Sequence, residues 1–222
     1  MIKVLNYTHN PLTTIGGIAG VAYNSTNPKR FRKIAETCMK EGHDRVTEFA
    51  DITISISGYS AKVVRELYTH IIGTSRLQAS TRYIDYSKSF DNIVPLTVKG
   101  NKKAQEVWDR TIESISSGMR ELKELGIPTE DLTNLLPLAY DTTMVLKINL
   151  RALIHMFHVR ACTCAYWEYR LLMVELKDVL SELDEEWKFI ADEYFVPKCV
   201  ASGYCTEKTR HCGLRPLKED IL

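Results

Sequence analysis

The chain has 222 residues, of which 45% are hydrophobic and 26% charged, with a formal net charge of +1. Such a composition is ordinary for a globular protein of one or two domains, and a nearly neutral chain has no broad attraction to nucleic acid or to membranes. No apolar run reaches the roughly 20 residues that cross a bilayer, and the N-terminus lacks the apolar core of a signal peptide. We therefore expect a cytoplasmic protein that binds neither nucleic acid nor a membrane.

The first quarter of the chain predicts a strand and two helical segments. Residues 2–6 alternate weakly and predict an edge strand. The small apolar residues of 16–24 are typical of a tightly packed helix or of a segment near a ligand. Apolar residues at helical spacing predict a helix over 29–41, with Gly42 at its C-terminal cap.

The next segment predicts a strand, a helix and a polar loop. Isoleucines alternate with polar residues over 51–57, which predicts a half-buried strand that ends at Gly58. Ser60 is a candidate N-cap for a helix over 61–72. Residues 69–87 are rich in hydroxyl and arginine side chains, which are typical of a phosphate-binding loop and also of a merely solvated one.

The second half begins with a linker over 91–100 and a long helix over 101–125. A short helix is predicted over 129–136, a strand over 143–148 and a last helix over about 180–194. Alternating strands and helices of these lengths predict a protein that contains both.

The stretch from Ala152 to Arg170 is largely apolar and is expected to form one buried helix, with Asn149 as its N-cap. Arg151 and His155 share one helical face, and Arg160 lies on another. Buried cations need partners. This helix is therefore either a core helix with internally paired polar groups or the wall of an anion or cofactor pocket.

Six cysteines are present, and three of them, Cys199, Cys205 and Cys212, form the spacing C-x5-C-x6-C. Zinc knuckles use the tighter C-x2–4-C, so this is a weak metal signal unless Cys162 or Cys164 adds a fourth ligand. The alternative is that these cysteines are small buried hydrophobes. No bound metal is expected.

Two separated stretches resemble the flavin-dependent thymidylate synthases. The sequence S-R-L-Q-A-S-T-R-Y (75–83) is similar to the second half of the signature R-H-R-x-x-S-x-N-E-x-S-x-R, followed by tyrosine. Ser75, Ser80 and Arg82 match it, whereas Gln78 replaces glutamate and Leu77 replaces asparagine.

The second stretch combines L-P-L (136–138), N-L-R-A-L-I-H (149–155), V-R (159–160) and A-Y-W-E (165–168). The family has L-P-L, N-A-R-S-L-x-x-F, L-R and A-Q-W-E in the same order. The first half of the signature departs from the family, because Thr69-His70-Ile71 stands in place of R-H-R. Arg65 and Arg76 are candidates to replace the missing arginines.

The resemblance implies an α/β (α+β) fold with an antiparallel sheet and long packed helices. It implies one family-like domain over residues 1–196, followed by a cysteine-containing extension over 197–222. The implied reaction moves a one-carbon unit from methylenetetrahydrofolate to dUMP to make dTMP, with FAD as cofactor and NADPH as reductant. The implied assembly is a homotetramer with active sites between subunits.

The resemblance also implies roles for individual residues. Arg160 is the expected catalytic residue and contacts the pyrimidine, while Gln78, Ser80 and Arg82 bind the rest of dUMP. His43 and Tyr83 are expected on the folate side. The residues expected to bind FAD are Arg45, Glu48, His70, Ser75, Asn149, Arg151 and His155.

Two rival hypotheses remain at this stage. The replacements at Leu77 and Gln78 favour a relative that acts on another pyrimidine nucleotide. The missing R-H-R and the cysteine tail favour a non-catalytic flavin- or nucleotide-binding relative, or a metal-stabilised structural subunit.

Overall fold

The computed structural model describes residues 1–221 and contains one four-stranded antiparallel sheet with strand order β1-β2-β4-β3. Its strands are β1 (Ile2–Tyr7), β2 (Asp51–Ser60), β3 (Thr74–Gln78) and β4 (Asp141–Asn149). The predicted fold class is confirmed, and so is the edge position of the first strand. Alternate residues of β2 and β4 are buried, as a half-buried sheet requires.

Ten helices accompany the sheet in the described part of the chain. They are α1 (Pro11–Val21), α2 (Phe31–Lys40), α3 (Ala61–Leu67), α4 (Leu96–Lys99), α5 (Lys102–Glu124), α6 (Thr129–Leu132), α7 (Leu150–Arg160), α8 (Trp167–Ser181), α9 (Glu185–Tyr194) and α10 (Lys198–Ser202). Short 3₁₀ helices lie at Pro28–Arg30, Asp44–Phe49, Thr133–Leu135 and Lys218–Asp220. Within residues 1–221 no helix has the length and apolar character needed to cross a membrane.

The chain divides into two compact units. One comprises Met1, 56–69 and 77–145, and the other comprises 2–55, 70–76 and the remainder from residue 146. The single domain over 1–196 and the extension over 197–222 stay predictions, and Leu222 lies outside the described residues.

The first unit is built around the long helix α5, which packs against α4 and α6. Met119 of α5 and Leu132 of α6 are fully buried. The hydroxyl of Ser60 accepts a hydrogen bond from the backbone N–H of Val63, which confirms the predicted cap of α3.

The second unit is mainly helical. Helix α1 packs closely on α2, because a Cβ on Gly16 would lie 1.7 Å from the carbonyl oxygen of Phe31. Trp187 of α9 is fully buried and donates through its indole N–H to the carbonyl of Thr8 at 2.9 Å. Helix α7, which contacts α8 and the 3₁₀ helix Asp44–Phe49, carries the predicted site residues Arg151, His155 and Arg160.

Three predictions in the first half of the chain are wrong. Strand β2 continues past Gly58, because the N–H of this residue donates to the carboxylate of Asp141 and stays paired. Helix α3 ends at Leu67, five residues before the predicted end. The predicted loop 69–87 contains β3, whose pairing with β4 is a long-range contact that local sequence does not reveal.

The predicted single helix from Ala152 to Arg170 is also wrong. Helix α7 ends at Arg160, residues 161–166 form a turn, and α8 starts at Trp167. The guanidinium of Arg170 donates to the carbonyls of Thr163 and Ala165, at 2.5 Å and 3.1 Å. These carbonyls thus accept hydrogen bonds from a side chain rather than from helical N–H groups, which stabilises the turn between α7 and α8.

Candidate functional site

The start of helix α7 is fixed by Asn149, the last residue of β4. Its side-chain oxygen accepts a hydrogen bond from the N–H of Ala152 at 2.9 Å, so the predicted N-cap is confirmed. Its own N–H donates to the carbonyl of Gly73 at 2.9 Å. Gly73 has φ +71°, and a Cβ there would lie 2.6 Å from the Asn149 amide nitrogen. Only glycine therefore allows this loop to lie against the cap.

The loop before Gly73 presents His70 to the end of helix α7. The carbonyl of His70 accepts hydrogen bonds from the hydroxyl of Thr74 at 2.7 Å and from the guanidinium of Arg76 at 3.1 Å. The Nε–H of Arg160 donates to the imidazole Nε2 of His70 at 3.2 Å. Two predicted site residues that are 90 positions apart thus meet directly.

Tyr169 of α8 completes this group. Its fully buried ring lies 4.8 Å from the guanidinium carbon of Arg160, in cation–π geometry. The ring of His70 lies 6.2 Å from that of Tyr169 and 6.2 Å from that of His155. We call His70, Arg76, His155, Arg160 and Tyr169 the His70–Arg160 cluster.

The cluster keeps His70 neutral. Burial lowers the pKa of His70 to about 4, and the positive charge of Arg160 contributes to the shift, followed by His155 and Arg76. Since Arg160 donates to Nε2, this nitrogen holds a lone pair and the ring proton is on Nδ1. A neutral acceptor on one side and an aromatic face on the other hold the Arg160 guanidinium as a fixed cation.

The other predicted FAD residues of α7 are more exposed. The guanidinium of Arg151 lies 2.6 Å from the carboxylate of Glu48, which is on the 3₁₀ helix Asp44–Phe49. His155 is exposed one turn further along α7. The structure therefore brings Glu48 and Arg151 together, at the surface rather than in the core.

Three further predicted residues are exposed side chains on nearby segments of the same unit. Arg45 is on the 3₁₀ helix and His43 directly precedes it. Ser75 is on β3, where its side chain is exposed while its strand neighbours Thr74 and Arg76 are half-buried. Successive side chains of a strand point to opposite faces, so Ser75 and Arg76 diverge.

The predicted dUMP-binding residues other than Arg160 lie together in the other compact unit. The amide of Gln78 donates to the hydroxyl of Tyr140 at 3.2 Å. The hydroxyl of Ser80 accepts from the backbone N–H of Arg82 at 3.2 Å, which shapes the turn that follows β3. We call residues 78–83 the phosphate turn, after the contact that the family resemblance predicts for them.

The arginine of the phosphate turn is bound to a carboxylate. Arg82 Nε lies 2.8 Å from a carboxylate oxygen of Glu130, and the two side chains are 66% and 52% exposed. Tyr83 is exposed, with its ring centroid 5.7 Å from the Arg82 guanidinium carbon. The hydroxyl of Thr133 donates to the carbonyl of Thr81 at 2.9 Å, which anchors the turn.

Sequence reasoning missed Tyr169 and Glu130. Tyr169 directly follows the A-Y-W-E motif, so its place in the chain was a signal that could have been used. Glu130 has no such signal, because it is 48 residues from Arg82. Of the two arginines considered as replacements in the signature, Arg76 is in the His70–Arg160 cluster, and Arg65 is an exposed residue of α3 in the other unit.

Comparison with known proteins gives a consistent result. The sequence model of the family described as thymidylate synthase complementing protein matches residues 3–184. The chain is 30% identical to a flavin-dependent thymidylate synthase of Geobacter sulfurreducens, covering 96% of this chain and 93% of the relative. The chain is also similar to the flavin-dependent thymidylate synthase of Pyrococcus furiosus, with 29% identity over 93% of this chain and 89% of the relative. The corresponding protein of Nitratidesulfovibrio vulgaris is 32% identical over 82% of this chain and 76% of the relative.

Proposed function

Because the chain belongs to the thymidylate synthase complementing protein family, we propose that it is an FAD-dependent thymidylate synthase. The reaction transfers a one-carbon unit from methylenetetrahydrofolate to dUMP, with NADPH as reductant, and releases dTMP. The observation that carries the proposal is the fixed Arg160 guanidinium, held between neutral His70 and Tyr169. A cation placed in advance stabilises charge that develops during a reaction without first having to reorganise.

The residues around helix α7 fit a flavin dinucleotide. FAD contains a diphosphate, and Arg151, His155 and Arg45 are exposed nitrogen donors on α7 and the adjoining 3₁₀ helix. Ser75 and Asn149 add a hydroxyl and an amide, and Glu48 holds Arg151 in place. When bound, FAD supplies the reducing equivalents. The protein's part is to orient the reactants and exclude water.

Arg160 is proposed to act on the pyrimidine. Its guanidinium donates to a ring carbonyl and stabilises negative charge on the uracil while C5 is nucleophilic. An arginine suits this role because it stays charged at any working pH. Neutral His70 accepts from the Nε–H of Arg160 and fixes the orientation of the guanidinium, so we assign His70 a positioning role besides its expected contact with FAD.

The phosphate turn is proposed to hold the remainder of dUMP. Arg82 exchanges its exposed pairing with Glu130 for a bidentate contact with the phosphate, and Ser80 and Gln78 add a hydroxyl and an amide. In a homotetramer with sites between subunits, this turn and the Arg160 that serve one nucleotide can come from different protomers.

The remaining parts of the proposal concern folate and assembly. His43 and Tyr83 are exposed side chains proposed to contact methylenetetrahydrofolate. The homotetramer is supported by apolar side chains on the loop beside Gly73, since Ile71 and Ile72 are 70% and 88% exposed. The cytoplasmic location stays a prediction.

The test combines spectroscopy with product analysis. The purified protein is expected to bind FAD, with a flavin absorption band at about 450 nm that shifts when dUMP is added. With methylenetetrahydrofolate and NADPH it should then form dTMP, and omission of either should stop the reaction. Methylation of dCMP in place of dUMP would favour the hypothesis that the protein acts on another pyrimidine nucleotide. FAD binding without turnover would favour the hypothesis of a non-catalytic flavin-binding protein.

A further inference from the structure

A cavity of about 350 Å³ lies where the end of α7, the turn 161–166 and the C-terminal segment meet. Its wall includes five of the six cysteines of the chain, namely Cys162, Cys164, Cys199, Cys205 and Cys212. All five are free thiols in the structure and belong to one compact unit. Neither the proposed reaction nor the family motifs use these residues.

The fold brings the thiols close to one another, because Cys162, Cys199, Cys205 and Cys212 all line this one cavity. These four residues come from the turn after α7, from α10 and from the tail. A C-x5-C-x6-C spacing that is too loose for a zinc knuckle is thus brought together by the fold with a cysteine from elsewhere in the chain.

The tail has almost no hydrophobic core of its own. Among residues 198–221, Cys205 is the only buried one, at 5% exposure. Its N–H donates to the carbonyl of Pro216 at 2.7 Å, and its carbonyl accepts from the N–H of Lys218 at 3.0 Å. Segments that cannot bury enough apolar surface are usually held by disulfides or by a metal ion.

A second, independent observation comes from His158, which also lines the cavity. Its Nε2 is buried and has no hydrogen-bond partner among the described residues. A buried polar nitrogen without a partner costs free energy, so its retention indicates a group that is bound there. A metal-bound thiolate would accept a hydrogen bond from this nitrogen.

We propose that this cavity is a structural zinc site in which Cys162, Cys199, Cys205 and Cys212 bind one Zn²⁺ and hold the tail against α7. Four thiolates in a tetrahedron are a common closed zinc centre. The four thiols release four protons on binding, which leaves a centre of charge −2. Lys198 and Arg210 line the cavity and offset this charge, although Arg210 also lies 3.9 Å from Glu207.

Zinc binding requires a local rearrangement of side chains. Within residues 1–221 no group of three or more His, Cys, Asp or Glu side chains is already arranged around a metal position. A cysteine thiol changes position by rotation about one side-chain torsion between staggered rotamers, and in the proposed site this rotation turns the four thiols toward the metal. Cys164 donates to the carbonyl of Arg210 at 3.5 Å and stays outside the set.

The experiment measures metal content of the full chain purified under reducing conditions. We expect about one equivalent of zinc per chain, and removal by chelator followed by Co²⁺ should give thiolate-to-cobalt absorption bands. Cys199→Ser and Cys212→Ser should each abolish stoichiometric zinc. Cys38→Ser is the matched control, because Cys38 is on α2 and does not line the cavity. Circular dichroism shows whether each variant is folded, and the exposed Cys212 is the safer of the two substitutions.

A second readout reports on the tail itself. Trypsin should cleave at Lys208 or Arg210 faster after chelation, and added Zn²⁺ should restore protection in the wild type but not in Cys212→Ser. Zinc retained by both cavity variants would mean an adventitious ion only, and failure of the reduced protein to bind added Zn²⁺ would overturn the site. Iron with acid-labile sulfide in place of zinc would also overturn it, as an iron–sulfur centre. None of these readouts depends on flavin or on turnover.

Discussion

The two arginines assigned to dUMP are in opposite physical settings. Arg160 is partly buried, and its guanidinium contacts the neutral ring of His70 and the buried ring of Tyr169. Arg82 is 66% exposed and paired with the carboxylate of Glu130. The comparison shows how one residue type serves two tasks. A cation beside reacting atoms must be fixed in place beforehand, whereas an exposed arginine can exchange a surface ion pair for a contact with a phosphate.

The largest effect is expected from the fixed cation. Arg160→Ala should lower dTMP formation by about 100- to 1,000-fold, because charge stabilisation at the reacting ring is lost. The flavin band of the purified variant should remain. The measurement is turnover together with FAD content. Arg120→Ala is the control, since Arg120 forms an exposed pair with Glu113 and should change stability by less than about 0.5 kcal/mol. Loss of FAD along with activity would mean that Arg160 binds the cofactor rather than the nucleotide.

The placement of His70 depends on the loop at Gly73. Gly73→Ala should destabilise the protein by about 1–3 kcal/mol through backbone strain, with a further loss from the clash with Asn149. Gly126→Ala measures the cost of backbone strain alone. Gly126 has φ +80°, and a Cβ added there would meet none of the described residues within 4 Å. Urea unfolding of both variants measures the difference. Equal losses would show that the contact with Asn149 is unimportant.

For the exposed arginine, we expect an effect on binding rather than on chemistry. Arg82→Ala should raise the KM for dUMP by about 10- to 100-fold, as expected for a lost charge-assisted bond, and leave kcat nearly unchanged. Glu130→Gln should lower KM slightly or leave it unaltered, because an exposed ion pair is worth only about 0–1 kcal/mol. Steady-state kinetics at two salt concentrations measures both. A fall in kcat with constant KM for Arg82→Ala would break the distinction between the two arginines.

The smallest effect concerns the charge state of His70. Its pKa is about 4 in the folded protein and lies near the ordinary 6.5 when unfolded. The unfolded chain therefore binds the extra proton first, and His70 contributes stability that is complete above pH 6.5 and is lost as the pH falls toward 4. His70→Gln keeps an acceptor for Arg160 and does not titrate, so it should reduce this pH dependence. Urea unfolding at pH 4.5 and 7 gives the slope, and an unchanged slope would contradict the neutral assignment.

Local patterns in the sequence were sufficient for the secondary structure that depends on neighbouring residues. The alternating isoleucines predicted β2, the apolar spacing over 101–125 predicted α5, and the short side chains of Ser60 and Asn149 predicted the caps of α3 and α7. The order of the motifs indicated the family. These features could be read because periodicity and capping act over a few residues.

Only the tertiary structure decided which distant groups meet. It placed His70 beside Arg160, and Glu130 beside Arg82. It also drew cysteines from three segments to one cavity. In each of these contacts a side chain meets its partner through packing or strand pairing. Local periodicity in the sequence does not predict such partners. The sequence by itself thus determined the elements and the family, while folding determined the charge environment of each arginine.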